Sequence, residues 1–288
     1  MWFLLAVLAA ATQVARNLFM KRIGHALDET INVWGRFTFI LPFALAIMMI
    51  RGIPTVQPGF WPVALAFTGV QLAATLSLSK ALKVAEISLV TALWKLSIVL
   101  LVFWGFVTLG EQPPPLGLVG VCLSVAGVYL VNVRRARKNP WAPLLALVQE
   151  PGQRWTLVAC MFYAPTVALS KQMAMLSDVP FSIVAGYLLC SVALTPYTIY
   201  RSGRNFRRIG AHWKDFVSMG AVSALSAWFS IEAYVLTMSS YVEAVKQVEV
   251  LMAMAVGVVM FKERDTVRNI WPGVLVMAAG LVLLKLSD

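Results

Sequence analysis

The amino-acid sequence predicts an all-α integral membrane protein, with ten transmembrane helices arranged as two inverted five-helix repeats. Three observations support this fold class: a very apolar composition, ten long apolar segments, and a pattern that recurs in the second half of the chain. Of the 288 residues, 60% are hydrophobic and only 13% are charged, and the mean hydropathy is +0.78. Such a chain lacks the polar surface that a soluble domain presents to water, so lipid is the predicted solvent.

Ten apolar segments are long enough to cross a bilayer, which requires about 20 residues each. Five fall in each half, at 2–20, 31–50, 60–80, 85–109, 116–133, 155–175, 181–200, 215–236, 241–261 and 270–286. They are continuously apolar, which excludes a barrel of alternating strands. The first has no basic region before it, so we do not expect a removable signal peptide. We predict a first repeat over 1–133, a cytoplasmic linker over 134–154 and a second repeat over 155–288.

The repeat is visible in the last two segments of each half. Glu111 and Glu263 each follow the end of a long apolar run, and they are 152 residues apart. Gly120 and Gly273 begin similar glycine-containing segments and are 153 residues apart. A nearly constant spacing over two adjacent segments indicates two similar halves.

Basic residues are concentrated in alternate loops. The chain has 24 Lys and Arg against 13 Asp and Glu, an excess that would suggest nucleic acid in a soluble protein. Here most of them fall on one predicted side, including the linker and the loop at 201–215. Because cytoplasmic loops retain basic residues, we place the linker inside and both termini outside, in the cytoplasmic (inner) membrane, and expect no nucleic acid partner. Five spans per half then invert the second repeat, an arrangement typical of secondary transporters.

Short motifs recur in the same order in the two halves. They are Lys21, Arg36-Phe37, Ala81-Leu82, Gly110-Glu111 and Ala126-Gly127, then Lys171, Ala233-Tyr234, Lys262-Glu263 and Ala279-Gly280. In these motifs the chain resembles the EamA-like ten-helix members of the drug/metabolite transporter superfamily. The resemblance implies a carrier of small metabolites that works by alternating access around a cavity lined by the first, third and fourth helices of each half.

The sequence departs from that family in two places. Ser97-Ile98 and Glu249-Val250 stand where the family often has Glu-Pro, so no proline kink is expected in either fourth helix. Gly186-Tyr187 stands where a second Arg-Phe is expected.

Ionisable residues at lipid depth are costly and usually face a cavity or a partner. Lys95 is far from both ends of its span, so we predict that it lines the cavity or pairs with a carboxylate, and Trp94 is either a pocket wall or a packing residue. Glu243, Lys246 and Glu249 lie three residues apart on one helix face, where Lys246 either binds substrate or pairs within its own helix. Glu243 or Glu249 would hold a substrate amine or carry a coupling proton. Glu249 is the candidate proton-coupling residue, since burial favours a neutral carboxyl group.

Other polar residues are weaker candidates. Gln13 and Arg16 could face the cavity, although Arg16 is close enough to the inner surface to snorkel. Arg36 is expected to contact headgroups or the linker, and Lys171 to anchor its helix at the interface. Glu111 and Glu263 are expected to cap or tie loops.

The sequence contains no motif that indicates catalysis, and we predict that the protein is not an enzyme. The sequence contains no Walker-type phosphate loop, no HExxH motif and no nucleophile with a base. Three scattered cysteines and two histidines offer no metal-ligand spacing, so neither a cofactor nor a metal is expected.

The leading hypothesis is a secondary active exporter of a small polar metabolite, either amino-acid-like or an organic anion. Its partners would be that small molecule and the lipid bilayer, and the small residues of the fifth and tenth spans suggest a homodimer. Two alternatives stay open. A cation or multidrug exporter would need an unpaired carboxylate in the cavity, and a flippase for an anionic lipid would need a lateral opening with a basic pocket.

Overall fold

The computed structural model describes residues 1–94, 96–110, 115, 119–120, 122–123, 126–127, 130 and 141–286. Over these residues the regular structure is helical. The first half contains α1 (Trp2–Ala26), α2 (Glu29–Phe39), α3 (Leu41–Arg51), α4 (Phe60–Val84), α5 (Ile87–Trp94) and α6 (Ser97–Leu109). The second contains α7 (Ala142–Gln149), α8 (Pro151–Met175), α9 (Val179–Ser202), a 3₁₀ helix (Gly203–His212), α10 (Trp213–Leu236), α11 (Ser239–Val245), α12 (Val248–Phe261) and α13 (Arg264–Leu286).

Seven helical stretches in the described residues are long and apolar enough to cross a membrane. They are Trp2–Ala26, Glu29–Arg51, Phe60–Val84, Ile87–Val107, Val179–Ser202, Arg208–Leu236 and Ser239–Phe261. Helices α8 and α13 have 25 and 23 residues and occupy two further predicted spans, whereas the predicted span at 116–133 lies largely outside the described residues. The helical, multi-pass membrane class is confirmed, and the count of ten spans stays a prediction.

Helical structure extends into the predicted linker. Its residues 134–140 lie outside the described part of the chain, but α7 and the start of α8 occupy 142–154. Helix α8 therefore begins at Pro151, inside the predicted linker, and the division into two repeats stays a prediction. The loop predicted at 201–215 is largely a 3₁₀ helix.

Equivalent aspartates begin the second helix of each half. Asp28 accepts hydrogen bonds from the backbone N–H groups of Thr30 and Ile31, both at 3.1 Å. Asp178, 150 residues later, accepts one from Phe181 at 2.7 Å. A short acceptor at this position satisfies N–H groups that have no partner within the helix. The two halves therefore start this helix by the same local chemistry.

The fourth helix of each half is interrupted, although neither contains a proline. Helix α5 ends at Trp94 and α6 begins at Ser97, while α11 ends at Val245 and α12 begins at Val248. Tight i to i−3 hydrogen bonds close each break, as from Val99 to Leu96 at 3.2 Å and from Val250 to Gln247 at 2.9 Å. As expected, neither break is a proline kink; a tight 3₁₀-type turn interrupts each helix instead.

The two halves pack against each other reciprocally. The first helix of each half makes its most extensive contact with the third helix of the other, α1 with α10 and α4 with α8. Glycines allow the closest approaches: a Cβ atom added to Gly220 would lie 2.1 Å from the carbonyl oxygen of Phe39, and one on Gly35 would lie 2.1 Å from the Phe216 ring. This exchange of helices is the packing expected of two repeats, and their inverted orientation stays a prediction.

The distribution of polarity is that of a protein in lipid. Side chains such as Leu4, Leu65, Val192 and Val259 are 62–80% exposed on the outside of the bundle. The interior holds buried polar and charged side chains instead, among them Gln13, Arg16, Asn32, Arg36, Glu243, Lys246 and Glu249. Hydrocarbon tolerates apolar exteriors, and buried polar groups there need partners. The buried polar residues therefore locate the candidate site.

Candidate functional site

A polar cavity lies between the two halves. It has a volume of about 60 Å³ and is lined by the first three membrane-spanning segments of each half. Its lining residues are Gln13, Arg16, Arg36, Phe67 and Gln71 from the first half, and Tyr163, Thr166, Val167, Ser170, Tyr187, Ser226, Ala227, Ser230, Ile231 and Tyr234 from the second. Both halves contribute to one polar chamber, which is the place where a repeat transporter binds its substrate.

Gln13 joins this cavity to the interrupted helix of the second half. Its side-chain amide donates to both carboxylate oxygens of Glu249, at 3.0 and 2.9 Å. Glu249 is fully buried and occupies the first turn of α12, where the positive end of the helix dipole favours a carboxylate. The residue predicted for proton coupling therefore lies directly behind a cavity side chain.

Two arginines of the first half face the same cavity. Arg16 is 7% exposed and its Nε and Nη2 atoms lie 3.3 and 3.2 Å from Oδ1 of Asn17. Arg36 is 5% exposed, and its Nη1 donates to Oγ1 of Thr75 at 3.1 Å. The structure thus places Arg16 at the cavity rather than at the surface. The expectation that Arg36 contacts headgroups or the linker is wrong, because its helix turns the guanidinium inward.

Lys246 and Glu243 are bound to each other. Oε1 of Glu243 accepts hydrogen bonds from both the Lys246 ammonium group and the Tyr234 hydroxyl. Lys246 also lies 3.2 Å from the Tyr234 hydroxyl oxygen and 3.5 Å from that of Tyr163. The lysine and glutamate are almost completely buried. Lys246 is therefore paired with Glu243 within its own segment, which is one of the two roles predicted for it. Tyr163 and Tyr234, which line the cavity, connect this pair to it.

Trp94 packs beside the cavity. Its ring is 4.5 Å, centroid to centroid, from the ring of Tyr163, and the residue is 4% exposed. Its backbone carbonyl accepts a hydrogen bond from the Ser97 hydroxyl across the helix break at 2.6 Å. Trp94 therefore supports a cavity-lining tyrosine. Lys95, the strongest candidate from the sequence, lies outside the described residues.

A second polar site lies at one end of the bundle. Glu263 accepts hydrogen bonds from the backbone N–H groups of Ile87 and Ser88, at 3.1 and 3.2 Å, and from the Ser88 hydroxyl. Lys21 lies 3.3 Å from Glu263 and donates to the carbonyl oxygen of Ala85 at 2.9 Å. The predicted capping role of Glu263 is confirmed, and an open polar groove of about 520 Å³ lies beside it.

Lys171 makes the equivalent backbone contact in the second half. Its Nζ donates to the carbonyl oxygen of Thr237 at 3.0 Å, as Lys21 does to Ala85. Lys171 therefore ties the first helix of its half, α8, to the junction of α10 and α11, in place of the expected interfacial anchor. Glu111, the equivalent of Glu263, lies outside the described residues.

An apolar crevice opens on another side of the bundle. It has a volume of about 380 Å³ and is lined by Phe3, Val7, Val245, Gln247, Val248, Leu251, Val274, Leu275, Ala278 and Val282. Among these residues none is basic. This crevice therefore lacks the headgroup site that an anionic-lipid flippase would require.

Several cavity residues were not found from the sequence. Tyr163, Tyr187, Tyr234, Gln71 and Phe67 are ordinary core residues by pattern, since aromatic rings in apolar helices usually pack. A repeat offset of 150 residues, the spacing of Asp28 and Asp178, would have helped: it pairs Gln13 with Tyr163 and Arg16 with Thr166.

Comparison with known proteins agrees with this architecture. No curated protein matches the chain. A solved structure, described only as the crystal structure of a protein, superposes with a TM-score of 0.66 at 21% sequence identity, covering 98% of this chain and 96% of that one. At this identity the likeness establishes the fold. Residues 1–133 match the EamA-like transporter family, which confirms the resemblance read from the sequence motifs. Over residues 1–133 the chain is therefore similar to this family of membrane transporters.

Proposed function

We propose that the protein is a secondary active transporter that exports a small polar metabolite across the cytoplasmic membrane by alternating access. The observation that carries this proposal is the polar cavity built jointly by both halves, beside two interrupted helices. Such interruptions place backbone dipoles and flexible joints next to a site at mid-membrane. A chamber built from two bodies can open to either side when the bodies rock.

The cavity volume suits a contracted state in such a cycle. Ordinary ligand pockets measure about 300–1,000 Å³, whereas this cavity measures about 60 Å³. A metabolite therefore requires the two halves to separate before it can enter. Close glycine contacts, such as that of Gly220 with Phe39, hold the helix backbones tightly packed. Because packed backbones deform little locally, we expect the helices to move as rigid bodies.

The positions of the buried carboxylates do not favour a cation or multidrug exporter. Such a protein requires a carboxylate available to the cavity, but Glu249 accepts the Gln13 amide and Glu243 accepts Lys246 and Tyr234. The fifteen lining residues include two arginines and no acid. A polar or anionic metabolite is the better match.

The test is counterflow in proteoliposomes. Purified protein is reconstituted and preloaded with one compound at a time from a panel of amino acids, organic acids, organic phosphates and quaternary amines. We expect a labelled compound outside the vesicles to exchange faster when the vesicles contain an unlabelled compound of the same chemical class. Reversing the concentration gradient of that compound should reverse the direction of its net flux. Absence of exchange for every class, with correctly inserted protein, would overturn the proposal.

A further inference from the structure

Among the described residues that line the cavity, the basic side chains all belong to the first half. Arg16 and Arg36 both belong to the first half, while the equivalent positions of the second half, 150 residues later, hold Thr166 and Gly186. Both guanidinium groups are more than nine-tenths buried. The anion-attracting part of the cavity is therefore confined to one wall.

In the described part of the chain neither arginine forms an ion pair. Arg16 has the amide oxygen of Asn17, and Arg36 has the hydroxyl of Thr75. Nε of Arg36 is buried and has no hydrogen-bond partner among the described residues. Both guanidinium groups belong to residues that line the same small cavity. Two buried cations without carboxylates are costly, since a buried charge normally has an opposite charge beside it.

Guanidinium groups select oxyanions. Each presents a planar fork of N–H donors that matches a carboxylate or a phosphate group in two parallel hydrogen bonds. The second half contributes the phenol groups of Tyr163 and Tyr187, of which Tyr187 lies beside Arg36, and the hydroxyls of Thr166, Ser170 and Ser230. These groups suit the uncharged body of a metabolite, by stacking and by neutral hydrogen bonds.

The described lining residues include no carboxylate that could receive an ammonium group. Glu249 is separated from the cavity by the Gln13 amide, which contacts both of its oxygens. Glu243 is separated from it by Tyr234 and is paired with Lys246. An amino acid would therefore bring its amine towards two arginines with no carboxylate exposed to receive it. Binding a zwitterion would leave a desolvated charge unpaired, which is strongly unfavourable.

We propose that the substrate is an organic anion with one oxyanion group, a carboxylate or a phosphate, and no amine, held by Arg16 and Arg36. This inference rests on the proposed transport function and narrows its substrate from amino-acid-like or anionic compounds to anionic ones. The oxyanion binds the wall of the first half, and the body of the molecule lies against the tyrosines of the second.

The experiment measures equilibrium binding separately from transport. Isothermal titration of detergent-purified protein uses four probes with the same ring: 3-phenyllactate, its amide, phenylalanine and phenyl phosphate. We expect binding of phenyllactate or phenyl phosphate at least about tenfold tighter than binding of the other two, since losing a charge-assisted hydrogen bond costs roughly that factor. Whichever of the two anions binds more tightly indicates whether the site prefers a carboxylate or a phosphate group.

Variants assign the effect to the arginines. Arg36→Gln and Arg16→Gln should each weaken anion binding by about 10- to 100-fold, and Arg36→Lys should restore part of it, because lysine keeps the charge without the fork. Arg22→Gln is the matched control, since Arg22 is exposed on the same helix as Arg16. Size-exclusion elution identifies any variant that fails to fold, and Arg36→Lys then provides the test.

Outcomes for the two proposals are distinguishable. If phenylalanine binds as tightly as phenyllactate, or if the arginine variants bind anions like the parent protein, the anion inference is wrong while transport of another class can still be observed. If the panel shows no exchange in proteoliposomes but anions bind through Arg16 and Arg36, the transport proposal fails and the binding site stands.

Discussion

The amide nitrogen of Gln13 lies 3.0 and 2.9 Å from the two carboxylate oxygens of Glu249, across a sequence separation of 236 residues. This contact joins the first helix of one half to the interrupted helix of the other. It also places the acid one side chain away from the cavity. A change in the protonation of Glu249 would therefore be transmitted directly to the cavity wall.

Glu249→Gln should separate substrate exchange from proton coupling. The variant keeps the size of the side chain and removes its charge and its titration. We expect normal counterflow but loss of uptake driven by a pH gradient, measured in proteoliposomes with an imposed gradient. Glu232→Gln is the control, because Glu232 pairs with the half-exposed Arg51 at 2.8 Å, away from the cavity. Gradient-driven uptake that persists in Glu249→Gln would show that coupling lies elsewhere.

Lys246→Met should destabilise the protein by about 3–5 kcal/mol, since it leaves Glu243 buried without its cation. The double variant Lys246→Met/Glu243→Gln should recover much of this loss, because no charge is then stranded. Thermal unfolding in detergent, followed by tryptophan fluorescence, measures both. As a control, Lys83→Met disrupts the part-exposed pair with Glu29 and should cost at most about 1 kcal/mol. Equal melting temperatures for the single and double variants would contradict the assigned pairing.

Glu263→Gln should loosen the end of the bundle at which Lys21 and Glu263 meet. The neutral side chain gives up the ion pair and part of the cap on α5. In a variant lacking the native cysteines, Ser230→Cys reports on access to the cavity. We expect severalfold faster labelling by an impermeant maleimide from the side of this contact, predicted to be cytoplasmic.

The control for this labelling is Glu29→Gln, which removes the Lys83 pair without touching Glu263. Its labelling rate should equal that of the parent protein. If Glu263→Gln labels no faster than Glu29→Gln, the contact does not restrict access to the cavity.

Gly220→Ala should disturb the packing of α10 against the first half. An added methyl would meet the backbone of Phe39 at 2.1 Å, and overpacking costs about 1–3 kcal/mol when the neighbour can move. A backbone carbonyl moves little, so we expect the upper end of this range. Gly69→Ala is the matched control, since nothing lies within 4 Å of the added atom and alanine favours helix by about 0.5–1 kcal/mol. Similar melting temperatures for the two variants would contradict this packing.

The sequence by itself determined the membrane class, most helix positions and the similarity of residues 1–133 to EamA-like transporters. Hydrophobicity, periodicity and short motifs are local properties, so they can be read over a few residues at a time. The sequence also identified Gln13, Arg16 and Glu249 as candidate site residues. A polar side chain within a long apolar segment can be recognised from the sequence alone, and placing it in lipid is energetically unfavourable. The capping role of Glu263 followed from the end of its apolar run. These inferences need no knowledge of how the helices cross.

Only the tertiary structure decided which of these groups meet. Helical spacing says that Glu243, Lys246 and Glu249 share a face, but the crossing of α1 with α12 decides that Gln13 reaches Glu249 while Lys246 turns to Glu243 and Tyr234. The same is true of Arg36, whose partner Thr75 lies on another helix. Long-range contacts depend on how packed helices are rotated against one another. For this reason the charges could be found from the sequence, while the cavity they surround required the fold.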